Sequence, residues 1–267
     1  MFHLALRSFL LGLGLPAVAA AATMREAPNP AAVPANQLVV AGNACGPTAL
    51  LNAFRFGNPD WQRAASAISG DTDKQRIYTI IRECGMRPSS QFKGRPRWSR
   101  KGVNLVDLRD IANEMTRGHF LPLVSQDVLF LKPGETREKL LGRVHRYFET
   151  SLAKGLPPVI SLRRYAFRRQ TGKPAGWVVL DAHFVTLTAI PRKLEKSARS
   201  FPVSYIDPWG GEICRGAVSI SDRGILADTA AASPCLEAVF PRASVGKKLV
   251  RPGEPTALAV AAALGRW

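Results

Sequence analysis

The chain has 267 residues, 46% of them hydrophobic. That is enough apolar material for one large domain, or two small lobes sharing a core, and it excludes a disordered chain. Its 37 Lys and Arg against 20 Asp and Glu give a formal charge of +17, which attracts anionic surfaces: lipopolysaccharide, acidic cell-wall polymer, nucleic acid or an acidic peptide.

In chain order, Arg7, the apolar stretch from Ser8 to Val18 and the small residues Ala17-Val18-Ala19 read as a signal peptide over 1–22. Export to a periplasm or the medium is expected, in an oxidising compartment. Residues 23–41 are rich in Ala and Pro and read as extended. Cys45-Gly46-Pro47-Thr48 then opens a helix in which Ala49, Leu50, Ala53 and Phe54 recur at helical spacing. Gly57 and Pro59 end it. Helices are predicted over 59–68, over 72–84 with Asp71 or Thr72 as cap, over 105–115 after Asn104, and over 136–153. A basic loop broken by Pro and Gly covers 86–103, and 120–131 is strand-like. His145 reads as a surface or half-buried helix residue and His119 as a loop residue.

After Gly155 the pattern turns to Val, Ile, Phe and Tyr between Gly and Pro turns. Strands are predicted over 157–162, 177–180, 183–190, 201–206 and 212–220. The fold class is therefore α+β: a helical part over 45–153 and an antiparallel sheet part over 157–240, within one domain spanning 23–240. Residues 241–267 read as a peripheral tail, with an Ala-rich helix at 256–264.

Cys45 sits at a helix N-terminus, where unpaired N–H groups and the helix dipole favour a thiolate, the reactive form of cysteine. His183 opens a strand, and Asp207 in Asp207-Pro208-Trp209-Gly210-Gly211 closes the following one. An imidazole oriented by a carboxylate serves as base and then acid for such a nucleophile. Asp181, two residues before His183, is the weaker rival to Asp207. Trp209 is placed to shield the Asp207–His183 bond from water.

Cys45-Gly46-Pro47-Thr48, His183-Phe184-Val185 and Asp207-Pro208, in that order, resemble the papain-like cysteine peptidase clan, and within it the bacteriocin-processing peptidases and their secreted relatives. The Cys-Gly-Ser-Cys-Trp signature of papain itself is absent. The resemblance covers residues 36 to about 215. It implies a papain-like fold in which a helical lobe with Cys45 faces a sheet lobe with His183 and Asp207 across a cleft. Gln37 resembles the glutamine that donates to the oxyanion in that clan, and Asn43 is a rival donor. The expected activity is that of an exported peptidase or amidase acting on a peptide or amide. A Cys-dependent acyltransferase and a non-catalytic module docking anionic envelope components are the alternatives.

No cofactor is expected. No Cys-x-x-Cys spacing and no helical histidine pair marks a metal site. With Cys45 reserved for chemistry, Cys214 and Cys235 are expected to pair across a short loop, leaving Cys84 over. The basic runs, Arg87 to Lys101 and Arg163 to Lys173, read mainly as solvated surface with some affinity for an anionic envelope. They lack the aromatic interleaving of a nucleic-acid platform, so no specific nucleic acid is expected, and the chain reads as a monomer.

Overall fold

The computed structural model describes residues 23–223, 235–243 and 245–267; the predicted signal peptide, 1–22, lies outside the described residues. β1 (Met24–Glu26) leads into an extended stretch and one 3-10 turn, Gln37–Val39, capped by Asn36. α1 (Cys45–Arg55) follows, buried from Cys45 through Phe54. Being enclosed on every side, it needs Gly46, because a Cβ there would lie 2.5 Å from Val103 Cγ1 and 3.0 Å from Leu108 Cδ1.

α2 (Pro59–Ser66) is capped by the Asn58 side chain. α3 (Asp73–Ile80) opens with a reciprocal capping box between Thr72 and Gln75. It runs into a wider π-turn, Ile81–Gly85, which completes the helix predicted to Cys84. β2 (Trp98–Ser99) and β3 (Gly102–Val103) form a small hairpin inside the basic loop. α4 (Leu105–Met115) is capped by Asn104. β4 (Ser125–Val128) is the strand within the strand-like 120–131 stretch, and α5 (Arg137–Ala153) is capped by Thr136.

The remainder is antiparallel sheet: β5 (Val159–Gln170), β6 (Lys173–Pro191), β7 (Ser200–Asp207), β8 (Glu212–Ile220), β9 (Leu236–Val239) and β10 (Thr256–Gly265). The strand order is β1-β6-β5-β10-β9-β8-β7, and β6 also pairs with β7. The path through β5 to β10 thus returns on itself, and the closed ring removes the free edges that an open sheet would expose. β1 and β4 extend it, pairing with the ends of β6 and β10. The molecule is a mixed α+β fold, as expected.

Three expectations are corrected. Residues 256–264 are neither helical nor peripheral: β10 pairs with β5 from Thr256 to Leu264 and is buried from Ala257 onward. The helical preference of alanine is worth only a fraction of a kcal/mol per residue, and small side chains are what a strand enclosed on both faces requires. Secondly, the helical part is not one lobe. α5 sends Leu140, Leu141, Val144 and Phe148 into the core of the sheet, with Val185, Val203 and Val260. α1 to α4 share a second core around Leu50, Phe54, Trp61 and Ile111. α5 also buries His145, whose Nε2 donates to the Pro191 carbonyl at 2.8 Å, far from a surface role.

The third correction concerns Cys214, which is a free thiol, so the expected pairing with Cys235 is not made. Cys214 lies opposite Tyr205 near the start of β8. Cys235 lies beyond the other end, its carbonyl accepting from the Ser221 N–H at 3.0 Å. A strand of this length separates them by roughly 20 Å, whereas a disulfide needs Cα atoms within about 7 Å. Proximity in sequence is undone by the register of β8 with β9.

Candidate active site

The start of α1 is built from outside the helix. Ala44, at its N-cap, makes no side-chain cap bond. Pro47 has no N–H, and Thr48 is the first helical residue to donate within the segment, to the Ala44 carbonyl at 3.0 Å. Among the described residues the Cys45 N–H meets the Asn43 Oδ1, at a long 3.5 Å. Asn43 is in turn pinned by the β2–β3 hairpin: its N–H donates to the Arg100 carbonyl at 3.1 Å, and its carbonyl accepts from Trp98 Nε1 at 3.0 Å. The basic loop therefore sets where the cysteine sits.

The sheet supplies the other groups. The register Thr186↔Ile206 and Leu187↔Tyr205 brings the His183 stretch of β6 beside the end of β7. His183 Nε2 and Asp207 Oδ1 are 2.7 Å apart, and the same oxygen accepts the Trp209 N–H at 2.9 Å. Trp209 thus contributes through its backbone, while its ring, half exposed, lines the adjoining cleft. The Cys45 side chain lies close enough to the His183 ring to raise its basicity. Cys45 is 3%, His183 6% and Asp207 3% exposed. Burial by itself lowers the basicity of His183. The neighbouring Asp207 and Cys45 outweigh it and push the ring up to about 10.

Helix and sheet are held together by polar bonds that the sequence did not reveal. Thr186 Oγ1 donates to the Ala49 carbonyl at 2.8 Å, strapping α1 to β6. The Asn52 amide, fully buried, accepts from the Ala35 N–H at 2.6 Å and donates to the Ala35 carbonyl at 3.2 Å. The next residues reach the aspartate turn: the Gly210 N–H donates to Asn36 Oδ1 at 3.1 Å and the Gln37 N–H to the Pro208 carbonyl at 2.8 Å. Gly211, at φ +67°, must be glycine, both for its left-handed backbone and because a Cβ would come within 3.3 Å of the Ala35 and Pro34 carbonyls. The one signal of this clamp was Asn52, a polar residue on the apolar face of α1.

Of the expected oxyanion donors, Gln37 and Asn43 both border the cleft with His183. Asn43 turns its oxygen toward the Cys45 N–H. Gln37 is 3% exposed, and its Oε1 is buried with no partner among the described residues. Asp181, the rival acid, is committed elsewhere, accepting the Gly246 N–H at 3.0 Å and the Ala182 N–H at 2.8 Å.

The cleft has a volume of about 500 Å³. Its far wall is the loop from Val245 to Leu249, which the sequence suggested was peripheral. Part of the second basic run holds this loop down. Arg164 Nε donates to the Val245 carbonyl at 2.6 Å, and Arg168 to the Leu249 carbonyl at 2.7 Å and to Glu254 at 2.9 Å. In the first run, Arg87 and Arg97 pair with Glu114. Arg97, Arg164 and Arg168 are thereby drawn into the structure, whereas Arg87 stays on the solvated surface.

Among the described residues, no group of three or more His, Cys, Asp or Glu could hold a metal ion. Comparison of the chain with protein-family models, with curated proteins and with solved structures finds no match.

Proposed function

We propose that this chain is an exported cysteine peptidase or amidase of the papain-like type. What supports this most is one arrangement: a buried imidazole bracketed by the Asp207 carboxylate at 2.7 Å and by the side chain of Cys45 at the first residue of a helix. A nucleophile–base–orienter chain of this kind suits acyl transfer.

In the proposed cycle the Cys45 sulfur bonds to the substrate carbonyl carbon, and the carbonyl oxygen becomes an oxyanion. The Cys45 N–H and the Gln37 side chain donate to it, while Asn43 acts as a positioning residue. His183 passes its proton to the leaving amine as the C–N bond breaks, giving a thioester. His183 then takes a proton from water, whose oxygen attacks the thioester carbon. The acid product departs and the sulfur–imidazolium pair is restored. Asp207 keeps one ring nitrogen committed throughout.

A second reading, a binding module on the same frame, is favoured by the near-complete burial of Cys45. Iodoacetamide labelling with peptide mapping, combined with hydrolysis of a fluorogenic peptide library, separates the two. The peptidase reading expects selective labelling of Cys45, hydrolysis that stops with that labelling, and a folded, inactive Cys45→Ala. A Cys45 that resists labelling in folded protein, together with no hydrolysis, would leave the binding reading. Sequencing the N-terminus of secreted protein tests export, with cleavage expected at the Ala-rich stretch before residue 23.

A further inference from the structure

The cleft beside His183 has an uneven charge. Arg100, Lys247 and Lys248 line it, all three are exposed, and none is in an ion pair among the described residues. Lys247 Nζ donates to the Pro241 carbonyl at 3.0 Å, which orders the side chain without cancelling its charge. The acidic group on the lining is Asp181. It lies against the inner side of the 245–249 loop, bonded to the Gly246 N–H, and Arg164 beside it feels its charge. Both side chains lie near Gly246, where an added Cβ would come within 3.0 Å of Asp181 Cβ and 3.2 Å of Arg164 Cβ. Asp181 is therefore offset locally, and three cations remain for whatever enters the cleft.

Their placement differs from that of Arg87, Arg97, Arg164 and Arg168, which carboxylates and backbone carbonyls occupy. Two of the three stand on the far wall and the third beside Asn43, so they flank the cleft from two sides. We infer that the substrate is an acidic peptide, with Asp or Glu side chains flanking the amide that Cys45 attacks. This rests on the peptidase reading above, and it assigns Arg100, Lys247 and Lys248 to substrate selection. Exposed pairs of this kind contribute about two- to fivefold each, so about tenfold together is expected at low ionic strength, screened by salt.

The test uses the mature protein and three matched fluorogenic peptides with Glu, Gln or Lys on both sides of one central sequence. The Glu peptide is expected to exceed the Gln peptide about tenfold in kcat/KM at low salt, with the Lys peptide slowest. The preference should shrink toward one in about 1 M salt, and likewise in the Arg100→Gln, Lys247→Gln, Lys248→Gln triple variant. A Glu-to-Gln ratio of one or less at low salt overturns the inference, as does a preference that neither salt nor the triple variant reduces. If no peptide is cut, the peptidase reading fails, and fluorescence anisotropy of the same peptides on Cys45→Ala decides the charge inference separately. Tighter, salt-sensitive binding of the Glu peptide upholds it, and equal binding of Glu and Gln peptides overturns it.

Discussion

The two cores of this protein are encoded differently. Around α1 to α4, three of the four helices are bounded by local chemistry: Asn58, Thr72 and Asn104 cap α2, α3 and α4 with their own side chains, while the start of α1 is set by the β2–β3 hairpin. In the barrel, consecutive strands pair in turn from β5 to β10, and the ring closes where β10 meets β5, two strands far apart in the chain. A helix start can be read from a few residues, whereas the partner of a strand depends on a register summed over the whole sheet. The candidate site lies on the seam, taking its sulfur from a helix start fixed by the distant β2–β3 hairpin and its imidazole and carboxylate from β6 and β7, consecutive strands paired in register.

The severest way to break this contrast is to attack β10. Ala263 is fully buried in the sheet core opposite Ile160. Ala263→Glu should cost about 4 kcal/mol or more, since a carboxyl there has neither room nor partner. Denaturant unfolding followed by circular dichroism checks it. A change within about 0.5 kcal/mol is what an exposed, peripheral segment would give, and it would return 256–265 to the tail.

Next in size is the pH dependence contributed by His183. The folded ring titrates at about 10, whereas in an unfolded chain it titrates at about 6.5. The folded state therefore holds this proton more tightly. The stabilisation is present in full below about pH 6.5 and is lost as pH rises through about 10. Urea melts between those limits should show wild-type stability falling relative to His183→Gln. Parallel curves for the two proteins would show that the ring is not bracketed as described. Asp207→Asn should lie between them, having lost one of the two partners that raise the ring.

The seam itself can be loosened through Asn52. Asn52→Ala leaves the Ala35 N–H and carbonyl buried without their partner, a loss of about 1–3 kcal/mol. Because residues 35–37 carry the Asn36 and Gln37 contacts to the 207–211 turn, turnover of the proposed substrate should fall as well, through kcat more than KM. If the variant is destabilised but keeps full turnover, the clamp stabilises the fold without positioning the site.

These variants also mark how far the sequence could be read. Cys45, His183 and Asp207 were legible because each stands in a short context with its own chemistry, and the structure brings all three together. The helices were legible through their caps and apolar spacing. β10 was not, because an alanine-rich stretch is helical by propensity and becomes a strand only when β5 and β9 enclose it. The role of the 245–249 loop was hidden for the same reason: Arg164, Arg168 and Asp181, which hold it, lie far away in the chain. Asn52 could have been singled out as a polar residue within a buried stripe, but nothing local tells that Ala35 is its partner.

The smallest expected effect tests whether register or proximity governs the cysteines. Had Cys214 and Cys235 been joined, closing that loop would contribute roughly 3 kcal/mol. A reductant would then lower the melting temperature by about 6–12 °C for a domain of this size. With Cys214 a free thiol buried beside Tyr205, thermal melts with and without reductant should coincide. Cys214→Ala should cost only about 1 kcal/mol, the loss expected for a small buried side chain at a well-packed site. A reductant-dependent fall in melting temperature that Cys214→Ala abolishes would mean that Cys214 and Cys235 meet. The β8–β9 register forbids that while it stands, so the pairing of those strands would have to be redrawn along with the closure of the barrel that depends on it.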